Sequence, residues 1–146
     1  MIYKYSENDQ NEKLRTICRE VEVEDLPKVK EIAKALREEL YSTKTGIAIA
    51  ANQCGFDLRV ILLNVGRFKD KIMINPQIVK ARGERKHKEG CLSFPDDFKV
   101  VKIRSAILNI RFKNESLVWE THKINELEAV CFQHELDHLD GKLFID

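Results

Sequence analysis

No CxxC pair occurs among the four cysteines, Cys18, Cys54, Cys91 and Cys131, which argues against a zinc finger or a thioredoxin-like redox site. No apolar run approaches membrane-spanning length, and the opening MIYKYSENDQ lacks the apolar core of a secretory signal. These absences predict a cytoplasmic protein whose cysteines stay as thiols, with one available to a metal. Charge of one sign is missing too: 25 Lys and Arg face 24 Asp and Glu, so no net field draws the chain to nucleic acid or an anionic membrane. The expected partner is a specific ligand, with no membrane and no specific nucleic acid. Repeats, low-complexity tracts and linkers are also absent. What remains is 146 residues, 43% hydrophobic and 34% charged, which predicts one domain over 1–146 with a single core.

The chain starts as an extended piece followed by a polar loop to about Asn11. From Asp25, an N-cap with Pro27 in the first turn, Leu26, Val29, Ile32, Leu36 and Leu40 recur at spacings of three and four. That pattern predicts an amphipathic helix to Tyr41, stopped by a polar run in which Gly46 takes a conformation closed to other residues. Residues 57–65 and 71–79 read as strands, the second interrupted by Pro76, with a turn over 66–70. The basic stretch KARGERKHK, 80–88, reads as a solvated loop, and its His87 is not expected to be a ligand. Residues 98–104, 106–113 and 117–124 read as strands, the last two forming a hairpin with His122 facing solvent. Asn125 with Glu128 suggests a capping box for a final helix over 126–140, and Gly141 its stop.

That helix carries Gln133-His134-Glu135-Leu136-Asp137-His138. Histidines at i and i+4 share one helix face, so both imidazoles reach one cation, and Glu135 beside the first can polarise a water on it. A helix that carries two histidines and an acid by chance is the bland alternative, and an independent third ligand decides against it. Only eight residues follow His138, so the third ligand lies upstream. Cys131 is about 10 Å along the helix axis from His138, too far to share an ion. Cys18 lies in an amphipathic segment and Cys54 follows a small-residue run. Cys91 sits in the loop Glu89-Gly90-Cys91-Leu92-Ser93-Phe94-Pro95, shaped by its glycine and proline. One thiolate and two imidazoles leave a fourth position open, as a catalytic site requires. The segment Gly46-Ile47-Ala48-Ile49-Ala50-Ala51-Asn52-Gln53 is apolar, small and closed by an amide. It suits a tight core crossing, or a backbone edge that receives a ligand with Gln53 donating to a developing negative charge. The two readings are compatible.

GIAIAANQ, EGCLS and QHELDH, in this order and at these separations, resemble the three signature motifs of the peptide deformylases, which remove the N-formyl group from the initiator methionine of nascent chains. The resemblance extends from Leu14-Arg15 to the closing Gly141-Lys142-Leu143-Phe144-Ile145-Asp146. It implies an α+β fold, mainly antiparallel strands packed around the C-terminal metal-binding helix with an additional N-terminal helix. It implies that Cys91, His134 and His138 hold Fe²⁺, replaceable by Ni²⁺, Co²⁺ or Zn²⁺. Glu135 would move the proton, while Gln53 and the backbone N–H of Leu92 would hold the oxyanion. Gly46, Ile47 and Ala48 would pair with the N-formylmethionyl peptide as an added strand, Leu127, Val130 and Cys131 would line the methionine pocket, and Glu89 would orient the ligand loop.

Ala48 stands where the family usually has glycine, and a methyl group there tightens the substrate edge. Phe98, Asn52 and Cys54 also replace commoner residues. Bacterial members usually continue past the equivalent of Phe144 into a helix implicated in ribosome docking, so any transient ribosome association is a weaker expectation here. Competing functions are a small metallopeptidase or other amide metallohydrolase, a non-catalytic peptide-binding relative, and a structural metal domain. The joint presence of Gln53 and Glu135 disfavours a mere binder.

Overall fold

The structure, a computed structural model, describes residues 1–5 and 10–146. Its organising layer is an antiparallel five-stranded sheet in the order β1 (Ala48–Ala50), β2 (Val60–Val65), β3 (Phe68–Arg82), β6 (Ile107–Lys113) and β7 (Trp119–Asn125). β4 (Arg85–Glu89) and β5 (Val100–Arg104) form a separate two-stranded ribbon. A short α1 (Gln10–Leu14) precedes α2 (Leu26–Tyr41), and α3 (Glu126–Leu139) closes the order. This is the α+β arrangement expected. No helix among the described residues is long and apolar enough to cross a membrane.

β2 is apolar except for Asn64 because both its faces are covered. Val60 and Leu62 pack with Val29, Ile32, Leu36 and Leu40 of α2. Ile61 and Leu63 point the other way, into a cluster with Met73, Phe112, Ala129, Phe132 and Leu139 around α3. Side chains alternate along a strand, so the two helices occupy opposite faces of the sheet. α2 buries one stripe, as its periodicity predicts. α3 is buried on nearly all sides, polar Gln133, His134, Glu135 and His138 included.

Several local expectations need correction. Pro76 does not interrupt its strand: β3 runs through it, because Asn75 at φ 51° and a register shift between Ile74 and Gln77 form a bulge that takes the proline nitrogen out of the ladder. The basic stretch is no loop, since β3 continues to Arg82 and the chain re-enters a strand at Arg85. Its lysines are exposed on the strands, which leaves no apolar run to betray them. Asp25 does not cap α2 with its side chain; its carboxylate accepts instead from the Glu22 N–H at 2.8 Å and from Arg19. Asn125 likewise gives α3 no side-chain cap, and Glu128 receives Arg67 rather than closing a box. His122 is half-buried, stacked on Phe112 with ring centroids 5.5 Å apart and bonded to Glu120. Gly46 needs no special φ; it is glycine for space, because a Cβ would lie 2.5 Å from Thr43 Oγ1 and 3.0 Å from Leu92 Cδ1. Gly141 does take the left-handed conformation expected of a helix stop, at φ 73°.

At the amino end, Tyr3 N–H donates to Gln53 O and Tyr5 N–H to Ser93 O, so this extended piece straps two signature segments together. The polar loop expected over 6–9 lies outside the described residues, and Gln10 already begins α1.

Candidate metal centre

One helical turn sets the first two donors. His134 and His138 sit at i and i+4 of α3, and their Nε2 atoms face each other at 3.2 Å. The third donor arrives from the loop after β4, where Cys91 Sγ lies 3.4 Å from His138 Nε2. All three donor atoms fall within 4.8 Å of one another. Tetrahedral coordination at ordinary bond lengths needs N···N of about 3.3 Å and N···S of about 3.6 Å. The donors therefore fit a divalent ion.

Behind the donors stands a buried charge network. His134 Nδ1 donates to Glu89 Oε1 at 2.9 Å, which frees Nε2 as the ligand lone pair. Glu89 also receives Arg104 through two bonds of 2.8 Å, and Arg104 turns its third nitrogen to Asp137 at 2.6 Å. Arg104 and Glu89 are buried, at 7% and 3% exposure. Burial works against the charge on Glu89, but hydrogen bonds from Arg104 and His134 outweigh it and hold its pKa at about 2. A single arginine thus ties the ribbon, the ligand loop and α3 together. Phe144, from the closing segment, meets the His134 ring edge-on at 5.6 Å, and Arg15 anchors that segment through Asp146.

Glu135 is 4% exposed, and its Oε2 has no hydrogen-bond partner. Burial pushes its pKa up to about 7, where a carboxyl can both take and give a proton near neutrality. Gln53 lies behind Cys91. Its Oε1 accepts the Ala50 N–H at 3.0 Å, which fixes the amide so that Nε2 points towards Ser93 Oγ at 3.1 Å and Cys91 Sγ at 3.6 Å. Burial makes Cys18, Cys54 and Cys131 poor thiolates, each with a pKa of about 12.

Cys91 and His134 open onto a cavity of about 190 Å³. Gly46, Ile47 and Ala48 form one wall, and Leu127, Val130 and Cys131 another. Glu89, Leu92, His134 and Glu135 also reach it. The structure thus brings the expected site residues around one space, with Gln53 and His138 set behind its surface. Two participants escaped the sequence reading. Arg104 has no local signature because its partners are remote in the chain, and His87, expected in a solvated loop, lines the cavity from β4. Strand alternation from Glu89 back to His87 is the signal that could have found it.

A family model described as polypeptide deformylase matches residues 2–146. The chain is 40% identical to a peptide deformylase of Pseudoalteromonas translucida over 139 residues, covering 93% of this chain and 81% of the relative. It is 39% identical to one from Bartonella tribocorum, covering 91% and 77%. Among solved structures, a probable peptide deformylase of Synechococcus phage S-SSM7 superposes with a TM-score of 0.87 at 30% identity, over 100% of this chain and 97% of that one. A deformylase of Vibrio parahaemolyticus bacteriophage VP16T, solved in complex with actinonin, gives 0.85 at 32% identity over 97% and 98%. Matched over residues 2–146 by sequence and over its whole length by fold, this chain belongs to the peptide deformylase family of metal-dependent hydrolases.

Proposed function

We propose that the chain deformylates N-formylmethionyl peptides with Cys91, His134 and His138 as metal ligands and Glu135 as the proton carrier. The observation that carries these roles is the convergence of three donors beside a buried carboxylate whose Oε2 has no hydrogen-bond partner, at the head of a cavity walled on one side by Leu127, Val130 and Cys131. A divalent ion held there supplies Lewis acidity, activating water and polarising the formyl carbonyl. Glu135 takes the proton of the attacking water and delivers it to the leaving amine nitrogen as the C–N bond breaks, giving formate and a free amino terminus. Gln53 Nε2, its amide pinned by Ala50, and the backbone N–H of Leu92 donate to the oxyanion. Glu89 keeps the His134 ring in its ligating tautomer.

The peptide backbone adds to the Gly46, Ile47 and Ala48 edge, where, among the described residues, β1 has a sheet neighbour on one side only. The methionine side chain enters the cavity between Leu127, Val130 and Cys131. Formyl is small, so the specificity comes from this pocket and from backbone pairing. We assign Fe²⁺ as the native ion, with Ni²⁺, Co²⁺ or Zn²⁺ as substitutes, a range suited to one soft thiolate and two imidazoles. Nascent chains in the cytoplasm are the substrate, and any ribosome association is transient. Anaerobic purification with metal analysis, followed by formate release from formyl-Met-Ala-Ser, tests the assignment. One ion per chain and turnover lost on chelation are expected; turnover that survives complete removal of metal would overturn it.

A further inference from the structure

We infer that His87 reads the methionine sulfur, so that the pocket selects a thioether over a hydrocarbon side chain of equal length. The inference rests on the proposed use of the cavity as a methionine pocket. Burial along β4 alternates: Lys86 and Lys88 are exposed, whereas Arg85, His87 and Glu89 turn inward. His87 therefore shares a face with Glu89, the residue bonded to His134, and it lines the same cavity as Leu127, Val130 and Cys131. Those three side chains offer the substrate apolar surface, apart from a protonated thiol on Cys131.

His87 brings a different chemistry. Its Nδ1 is buried with no hydrogen-bond partner. Nδ1 is out of reach of a ligand, so the neutral ring keeps its lone pair there and carries its N–H on Nε2, the ring nitrogen that is not buried. A neutral imidazole has one N–H to donate and one lone pair, and a thioether sulfur is a weak acceptor. The methionine sulfur accepts that N–H; the methylene of norleucine, in the same place, leaves it unmet. A site with a polar group to satisfy discriminates against the analogue that lacks the matching atom.

The test compares kcat/KM for formyl-Met-Ala-Ser and formyl-norleucyl-Ala-Ser, by formate release, in the metal-loaded wild type, His87→Leu and His87→Gln. Wild type is expected to favour methionine by about threefold or more, the scale of one modest hydrogen bond. His87→Leu is expected to bring the ratio close to one by losing methionine turnover while keeping or raising that on norleucine. His87→Gln, which retains a donor, is expected to recover part of the preference. A wild-type ratio near one overturns the inference even if His87→Leu fails to fold, and so does an unchanged ratio in a folded, metal-loaded His87→Leu protein. Either result leaves the deformylase assignment standing, because that assignment fails only when formyl-Met-Ala-Ser itself is not turned over.

Discussion

The two faces of the central sheet are built on opposite terms. On one, α2 meets β2 with aliphatic side chains alone, Val29, Ile32, Leu36 and Leu40 against Val60 and Leu62. On the other, α3 brings Ala129, Phe132 and Leu139 to the core, yet buries Gln133, His134, Glu135 and His138 along the same helix. Burying polar groups is unfavourable unless they are bonded, so the second face depends on remote partners: Glu89 for His134, and the Ser105 backbone for Gln133. Under the proposed function, the contrast assigns stability to the α2 face and chemistry to the α3 face. It also explains why the α3 face alone needs a buried arginine network.

Removing the proposed proton carrier gives the largest expected effect. Glu135→Ala should lower kcat for formate release by about 10²- to 10⁴-fold, the range for general acid–base groups, with metal content unchanged. Full turnover in a metal-loaded variant would show that the chemistry does not run through this carboxylate. Arg104→Leu attacks the support of the site. Stranding Glu89 in the interior should cost about 3–5 kcal/mol of stability by denaturant unfolding, and a loosened His134 should weaken metal retention or activity by about 10- to 100-fold. Wild-type metal affinity in that variant would mean that the network braces the fold without positioning the ligand.

Leu36→Ala probes the other face. It should cost about 2–5 kcal/mol, yet leave kcat per folded, metal-loaded molecule unchanged. A matching fall in kcat would break the proposed division between the faces. The smallest effect concerns the tether of the closing segment. A hydrogen bond from Arg15 holds the Asp146 carboxyl at about 2, below its ordinary 3.8. A depressed carboxyl stabilises the fold above its ordinary value, and that contribution disappears as pH falls from about 4 to about 2. Solvent screens this half-exposed pair, so the loss should stay under about 1 kcal/mol. Asp146→Asn should flatten the acid limb of the melting temperature accordingly.

Legibility in the sequence followed the range of the interaction. The histidine pair and Glu135 could be read directly because helix geometry places them within five consecutive residues. The α2 stripe and the Gly141 stop were local in the same way. Cys91 could be singled out by its loop, but its approach to His138 is a matter of tertiary packing. Arg104, Glu89 and Asp137 come from three elements and leave no shared pattern, so their network appears only in the fold. His87 was obscured by its lysine neighbours, which made a two-faced ribbon look like a solvated loop. Pro76 misled for the opposite reason: a proline normally ends a ladder, and here a bulge at Asn75 absorbs it.

β1 pairs with β2 along one side, and over three residues only, before the chain turns away at Ala51. An open strand edge invites any extended chain, including a second copy of the protein. A ladder this short gives another copy little to hold, which protects the protein from self-association. Under the proposed docking mode it also limits how long a processed peptide can linger, because few backbone hydrogen bonds must break for it to leave. The brevity of β1 would then shape turnover through product residence time, separately from anything the metal ligands do.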